Sequence, residues 1–149
     1  MAGRFFEEWQ VGDTVQHELR RTVTETDNLL FTTMTHNSQP LHLDAEAAKA
    51  SEFGRILVNG TFTFSLMVGI SVADTTVGTL IANLGYDKLV MPKPVFIGDT
   101  LRATSEVMEV RPSKSRPGQG VVTWKHRMLN QRDELVCECL RSALIKGRG

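Results

Sequence analysis

Cysteine is scarce: two residues in a chain of 149, Cys137 and Cys139. Spaced i, i+2, they would share one face of a strand and lie too close in sequence to staple a fold. The pair is not a CxxC, and no second pair completes a zinc site, so no metal is expected. They read as reduced thiols packed on a sheet. An excess of either charge is missing too: 17 Lys and Arg offset 17 Asp and Glu, intermixed along the chain. That argues against nucleic acid or a membrane surface as a partner, since both attract a basic excess. No apolar run reaches the ~18 residues that span a bilayer. The start, Met1-Ala2-Gly3-Arg4-Phe5-Phe6-Glu7-Glu8, lacks the basic-then-apolar order of a secretory signal, and a cytoplasmic protein is expected. There is no internal repeat or low-complexity segment.

What is present is an ordinary globular composition, 41% hydrophobic and 23% charged, which excludes disorder as the default. Residues 1–149 fit one domain with a proper core. Phe5, Phe6, Trp9 and Val11 lead to a turn at Gly12-Asp13, and 15–23 alternates weakly as a strand or extended arm. Thr24 reads as the N-cap of a helix with Asp27 at its third position; Leu29, Leu30, Thr33 and Met34 follow at helical spacing. This helix should end near His36, because Pro40 biases Gln39 away from helix. Asp44 caps a short helix to about Ser51.

Asn59 then caps a segment, Thr61 through Val72, that is apolar nearly all round and has no charge until Asp74, the pattern of a buried helix. Strands are expected at about 80–91, 99–110, 120–130 and 134–145. Pro92-Lys93-Pro94, the 111–120 loop and Asn130-Gln131-Arg132-Asp133 divide them. The last three should form a meander solvated on one side. One buried helix followed by long antiparallel strands predicts an α+β fold in which a single sheet wraps the helix, the hotdog arrangement. Such a sheet leaves an open edge, so a homodimer, or a higher assembly of dimers, is expected.

The most informative stretch is Thr35-His36-Asn37-Ser38-Gln39-Pro40-Leu41-His42-Leu43-Asp44. A polar cluster, a turn-forming proline and a histidine precede the helix that opens at Asn59-Gly60. By residue type alone, His42 is either a satisfied loop histidine or a general acid–base group, since imidazoles titrate near neutrality. Asn37 and Gln39 are either turn residues bonded to backbone or part of a site. Gly60 is either a packing glycine or a place where a ligand reaches the backbone closely. Lys114 and Arg116, with Ser113 and Ser115, make either a phosphate-binding loop or a solvated hairpin. Arg55 could meet a carboxylate. His17 and His126 lie in strand-like stretches and read as structural.

Asn37 to His42, with Ala48 six residues on, resembles the motif Gly-Asp-x-Asn-Pro-(Leu/Ile/Val)-His-x5-Ala of the MaoC-like (R)-specific enoyl-CoA hydratase and dehydratase family. Val58-Asn59-Gly60 resembles the family's approach to the central helix, and Pro94 to Leu101 the start of a later strand. The likeness is spread over residues ~5–145, and within the family it is greatest in length and layout to mesaconyl-CoA and itaconyl-CoA hydratases. The departures are specific. The family aspartate falls on Asn37, its preceding glycine on His36, its asparagine on Gln39, and the histidine before the helix glycine on Asn59. Pro40, His42 and Gly60 match.

The resemblance implies addition of water to a 2-enoyl-CoA thioester with a short or branched acyl chain, or the reverse dehydration. Coenzyme A would enter only as part of the substrate, with no separate cofactor. Asn37, His42 and Gly60 would be catalytic, and Gln39, Pro40, Val58, Asn59, Arg55, Lys114 and Arg116 would bind substrate. Asn37 cannot ionise, so His42 would serve as base and acid while Asn37 orients a water or holds the imidazole tautomer. Two alternatives stand beside this: a hotdog acyl-CoA thioesterase, and a non-catalytic subunit of a heteromeric dehydratase, which the missing aspartate would suit.

Overall fold

In the computed structural model, which describes residues 3–149, the chain forms five strands and four helices. The sequence-based reading of the N-terminus as lacking a leader rests partly on Met1 and Ala2, outside the described residues. A 3-10 turn at Phe6–Glu8 precedes β1 (Thr14–Thr22), α1 (Glu25–Met34), α2 (Pro40–Leu43), α3 (Ala45–Ala50) and α4 (Gly60–Thr75). Then follow β2 (Leu80–Val90), β3 (Thr100–Pro112), β4 (Gly120–Leu129) and β5 (Leu135–Ile145). The strands make one antiparallel sheet in the order β1-β3-β4-β5-β2. It curls around α4, as expected. No helix among the described residues is long and apolar enough to cross a membrane.

Local chemistry accounts for most element ends. Thr24 accepts from the Asp27 N–H while the Asp27 carboxylate accepts from the Thr24 N–H, a reciprocal cap that starts α1. Arg21 bonds both Asp27 oxygens and, with these caps, holds that carboxyl below its ordinary pKa. Asp44 caps α3 through the N–H groups of Glu46 and Ala47. The turn before β3 needs Gly98, whose φ is 96°. There Asp99 accepts from the Phe96 N–H and from Gln131.

One expectation is corrected and two features go beyond the sequence reading. Pro40 keeps Gln39 extended and α1 ends just before His36, as expected; Pro40 also opens the single turn α2, because its fixed φ suits the first helical position. Leu29, Leu30 and Met34 of α1 are turned outward, at 50%, 57% and 72% exposure, while Asn28 and Thr32 are buried and Phe31 packs edge to face on Phe62 of α4. The meander is not evenly solvated on its outer face, since Val121 and Thr123 of the central strand β4 are buried there as well. Thr123 is bonded across the outer row to Ser142.

Two apolar clusters pack on the sheet, one against α4 and the other against the N-terminal segment that carries Phe6 and Trp9. Met67 and Ile70 of α4 pack with Leu101, Ala103, Met128 and Val136 near the start of that helix. Cys137 and Cys139 join them on the inner face of β5, and burial first raises their thiol pKa values to about 12 and about 11. At the far end Trp9 meets Trp124 edge to face, with ring centroids 5.3 Å apart, beside Val107, Val122 and Ile145.

Between the clusters runs a buried polar row. His17 Nδ1 lies 2.7 Å from the Asp74 carboxylate and its Nε2 2.8 Å from Ser105 Oγ, which lies 2.6 Å from His126 Nδ1. Arg141, also buried, donates to Asn83 and Thr76. Burial, reinforced by Arg141 and His17, pushes the His126 pKa down from 6.5 to about 3. The unfolded imidazole therefore takes up a proton below about pH 6.5 that the folded one refuses until about pH 3. Its contribution to stability is complete above that range and is lost as pH falls through it, by up to about 1.4 kcal/mol per pH unit. Urea midpoints measured from pH 7 to pH 4 should fall less steeply for His126→Gln than for the wild type. Parallel slopes would show that this imidazole does not carry the effect.

Candidate active site

After α1 the chain reverses at His36, whose φ of 57° lies in the left-handed region. Here the resemblance places the family's glycine, and the backbone shows why glycine suits the position; a side chain there costs about 1–2 kcal/mol. The Asn37 N–H donates to the Thr32 carbonyl, and Asn37 Oδ1 accepts from the Gln39 N–H at 3.0 Å. That turn delivers Pro40 to the start of α2, which carries His42.

His42 is half-buried, and its Nδ1 sits 2.7 Å from the Leu57 carbonyl oxygen. A carbonyl can only accept, so Nδ1 carries the proton, and the neutral ring presents a bare Nε2. Among the described residues no carboxylate bonds to His42.

The buried amide of Asn28 joins this histidine to the central helix. Its Nδ2 donates to the His42 carbonyl at 3.0 Å, and its Oδ1 accepts from the Asn59 N–H at 2.9 Å. Asn59 in turn donates to Thr32 Oγ1 and accepts from the Thr61 N–H and hydroxyl. The Phe62 and Thr63 N–H groups both reach the Asn59 carbonyl. Gly60 is the exception: among the described residues its N–H has no partner. One unpaired donor remains at the positive end of a 16-residue helix.

Gly60 lies on the wall of a cleft of about 330 Å³, mostly apolar, with Leu57, Val58, Thr63, Met91 and Lys93 among its other lining residues. The Met91 thioether occupies the space where a Gly60 side chain would begin.

Of the residues singled out from sequence, Val58 and Gly60 lie on the cleft wall, while His42, off that wall, is tied to the same turn by the Leu57 carbonyl and by the Asn28 bridge to Asn59. Asn37, Gln39 and Pro40 shape the approach to His42. Asn59, expected as a substrate contact, is 2% exposed, and both ends of its amide are used as cap and brace. Arg55 is exposed, with its guanidinium 3.9 Å from the Phe96 ring centroid, and is not part of the cleft wall. Lys114 and Arg116 lie beyond the Pro112–Gly120 pair, at the end of the sheet packed by Phe6 and Trp9. Within this chain they are not at the site, because the long hairpin carries them away from Gly60. Asp44 is committed to α3. Asn28, Thr32 and Lys93 went unrecognised in the sequence. The signal for the first two was an i, i+4 polar pair inside a helix whose Leu29, Leu30 and Met34 point the other way.

A sheet curled round one helix, with a histidine loop braced against an open helix N-terminus, defines a hotdog-fold protein. Residues 7–128 match the model of the MaoC like domain family, and the chain belongs to that family. It is 35% identical over 147 residues to the mesaconyl-CoA hydratase of Cereibacter sphaeroides, covering 99% of this chain and 42% of that protein. It is 33% identical to the β-methylmalyl-CoA dehydratase of Chloroflexus aurantiacus, covering 98% and 41%. The chain thus spans about two fifths of the length of these curated relatives. A MaoC-like dehydratase structure from Rhodospirillum rubrum superposes with a TM-score of 0.86 at 31% identity, covering 99% of both chains.

Removing the brace should be costly. Asn28→Ala leaves the buried Asn59 N–H without its acceptor, and thermal or urea unfolding should show a loss of about 1–3 kcal/mol. An unchanged midpoint would mean that the bridge is dispensable.

Proposed function

We propose that this protein is a hydratase or dehydratase of short or branched 2-enoyl-CoA thioesters. The observations that carry the reading are a His42 whose Nδ1 is held by the Leu57 carbonyl, leaving Nε2 to accept a proton, and an unpaired Gly60 N–H at the start of α4, the two segments being bridged by Asn28. The Gly60 N–H bonds the thioester oxygen and, with the helix dipole, stabilises the enolate that forms when water adds. Neutral His42 Nε2 takes a proton from water as its oxygen bonds the β-carbon; the same nitrogen then returns a proton to the α-carbon. Dehydration runs these steps backwards. The cleft, at the small end of the roughly 300–1,000 Å³ typical of ligand pockets, suits a short acyl group.

Asn37 stands where the family motif has its aspartate. An amide can hold the water but cannot take its proton, so His42 acts alone, and the rate should fall short of an Asp/His pair by about 10²–10⁴-fold. The lack of a carboxylate at His42 also favours a second reading, in which the chain is the non-catalytic subunit of a heteromeric dehydratase.

For assembly we propose a homodimer joined along β2, in the cytoplasm, where the buried thiols stay reduced. Residues 82–90 of this edge strand are all exposed, Leu84, Tyr86, Leu89 and Val90 among them. Apolar side chains on an open edge favour pairing with a second strand.

Incubation with crotonyl-CoA, mesaconyl-CoA and itaconyl-CoA, following alkene absorbance and free thiol together, tests the activity. Alkene loss with the thiol still masked is expected; thiol release would assign a thioesterase, and silence in both signals a partner subunit. His42→Ala should lower hydration at least about 10²-fold. Asn37→Asp should raise it about tenfold or more by restoring a carboxylate. A further loss in that variant would show that the amide has a role of its own.

A further inference from the structure

The buried polar row takes one residue from each of four neighbouring strands: His17, Ser105, His126 and Arg141. Both ends return to the end of α4, through Asp74 at His17 and Thr76 at Arg141. The row is broken once. His126 Nε2 and Arg141 Nη1 are buried and have no hydrogen-bond partner among the described residues. Both side chains stand on one face of the sheet, since Trp124 pairs directly with Arg141 and His126 with Cys139. The Trp124 ring lies beside both, stacked on the imidazole with centroids 6.2 Å apart and 5.6 Å from Arg141 Cζ. Its indole N–H is a third buried donor without a partner.

Arg141 is fully buried, yet no carboxylate pairs with it among the described residues. Its Nε donates to Asn83 Oδ1 and its Nη2 to Thr76 Oγ1, both neutral, and the end of the helix offers only a partial negative charge. The ionisable groups around the break are Asp74 of α4, His17 of β1, His126 of β4, Cys139 of β5 and Tyr86 of β2, with the Ser105 hydroxyl from β3. Burial keeps Cys139 a thiol and keeps His126 neutral down to about pH 3. Asp74 is the only carboxylate in the set, and His17 stands between it and the rest of the row.

Hydrogen-bond direction decides what the break can hold. The Asp74 carboxylate only accepts, so His17 Nδ1 carries a proton. With His17 neutral, its Nε2 accepts from the Ser105 hydroxyl, Ser105 accepts from His126 Nδ1–H, and His126 Nε2 is bare. Water suits that state, because it accepts from Arg141 and donates to Nε2. One added proton reverses every bond. It enters at His126 Nε2, His126 Nδ1 passes its proton to Ser105, and Ser105 passes its own to His17 Nε2. Arg141 Nη1 and His126 Nε2 are then both donors, and two cations, His17 and Arg141, face the single charge of Asp74. That state calls for an acceptor of two bonds carrying one negative charge.

We propose that the break is a buried site for one chloride-sized monovalent anion, taken up together with a proton on the Asp74–His17 pair. Gly60 opens the other end of α4, so this site is separate from the one assigned to hydration.

Bromide locates the site. Crystals grown in bromide at about pH 5.5 should show an anomalous peak between Arg141 Nη1 and His126 Nε2, and at about pH 8, where an ordinary imidazole is neutral, the peak should be gone. In solution, about 0.2 M bromide replacing methanesulfonate at constant ionic strength should raise Tm by about 2–4 °C at the lower pH and not measurably at the higher. Arg141→Gln should abolish that gain. Ser105→Ala cuts the proton path but keeps Arg141 and His126, so its gain should be the same at both pH values; this variant carries the test if Arg141→Gln does not fold. Bromide found only on the surface, or a water in the break at both pH values, overturns the proposal. So does a gain that survives Arg141→Gln, one that ignores pH in the wild type, or one that still follows pH in Ser105→Ala.

Discussion

The side-chain amide of Asn28 ties together two segments that the chain brings in from different directions. One end holds the carbonyl of His42 and the other holds the N–H of Asn59. The imidazole loop and the first turn of α4 are therefore fixed by opposite ends of one rigid planar group. Because Asn28 is buried, both bonds are made in a poorly screened interior, where leaving either unmade is costly. The outward-facing leucines of α1 follow from the same requirement. A helix that turns Asn28 and Thr32 inward must present Leu29, Leu30 and Met34 to the other side. The site thus sets the orientation of α1, against the usual preference for burying apolar side chains.

The capping of α4 shows how one donor is singled out. Every N–H around Gly60 is satisfied: Asn59 by Asn28, Thr61 by the Asn59 side chain, Phe62 and Thr63 by the Asn59 carbonyl. Capping is usually discussed as a source of helix stability. Here it also acts by subtraction, leaving a single unpaired N–H on a residue of the cleft wall. Asn59 fills a position for which the family resemblance suggested substrate contact, and its burial turns it into the residue that shapes the donor beside it.

The fold was legible where the sequence pattern is local. Four strands fell within two residues of their expected bounds because proline, glycine and asparagine clusters separate them, and α4 was visible as a charge-free run. Asn59, Thr24 and Asp44 were read as caps from the residues that follow them. The site was only partly legible, because its decisive bonds join residues far apart in sequence. Nothing near His42 announces that the Leu57 carbonyl fixes its tautomer. Nor does the 111–120 loop reveal that the length of its hairpin carries Lys114 and Arg116 to the opposite end of the sheet. Lys93 was hidden for a different reason: between two prolines it looks like an ordinary turn lysine, and only the cleft gives it a setting.

The two thiols of β5 have a consequence of another kind. Cys137 and Cys139 both face the interior beside Met67, and burial holds their ionisation far above neutrality. Neither sulfur can meet a reagent in solution while the sheet stays closed round its helix. Whichever opening exposes one must separate the inner face of β5 from α4, an excursion close to complete unfolding. The pair is thus a built-in clock: the pace of labelling in native buffer counts how often the molecule comes apart at its centre, and ignores fraying at its edges.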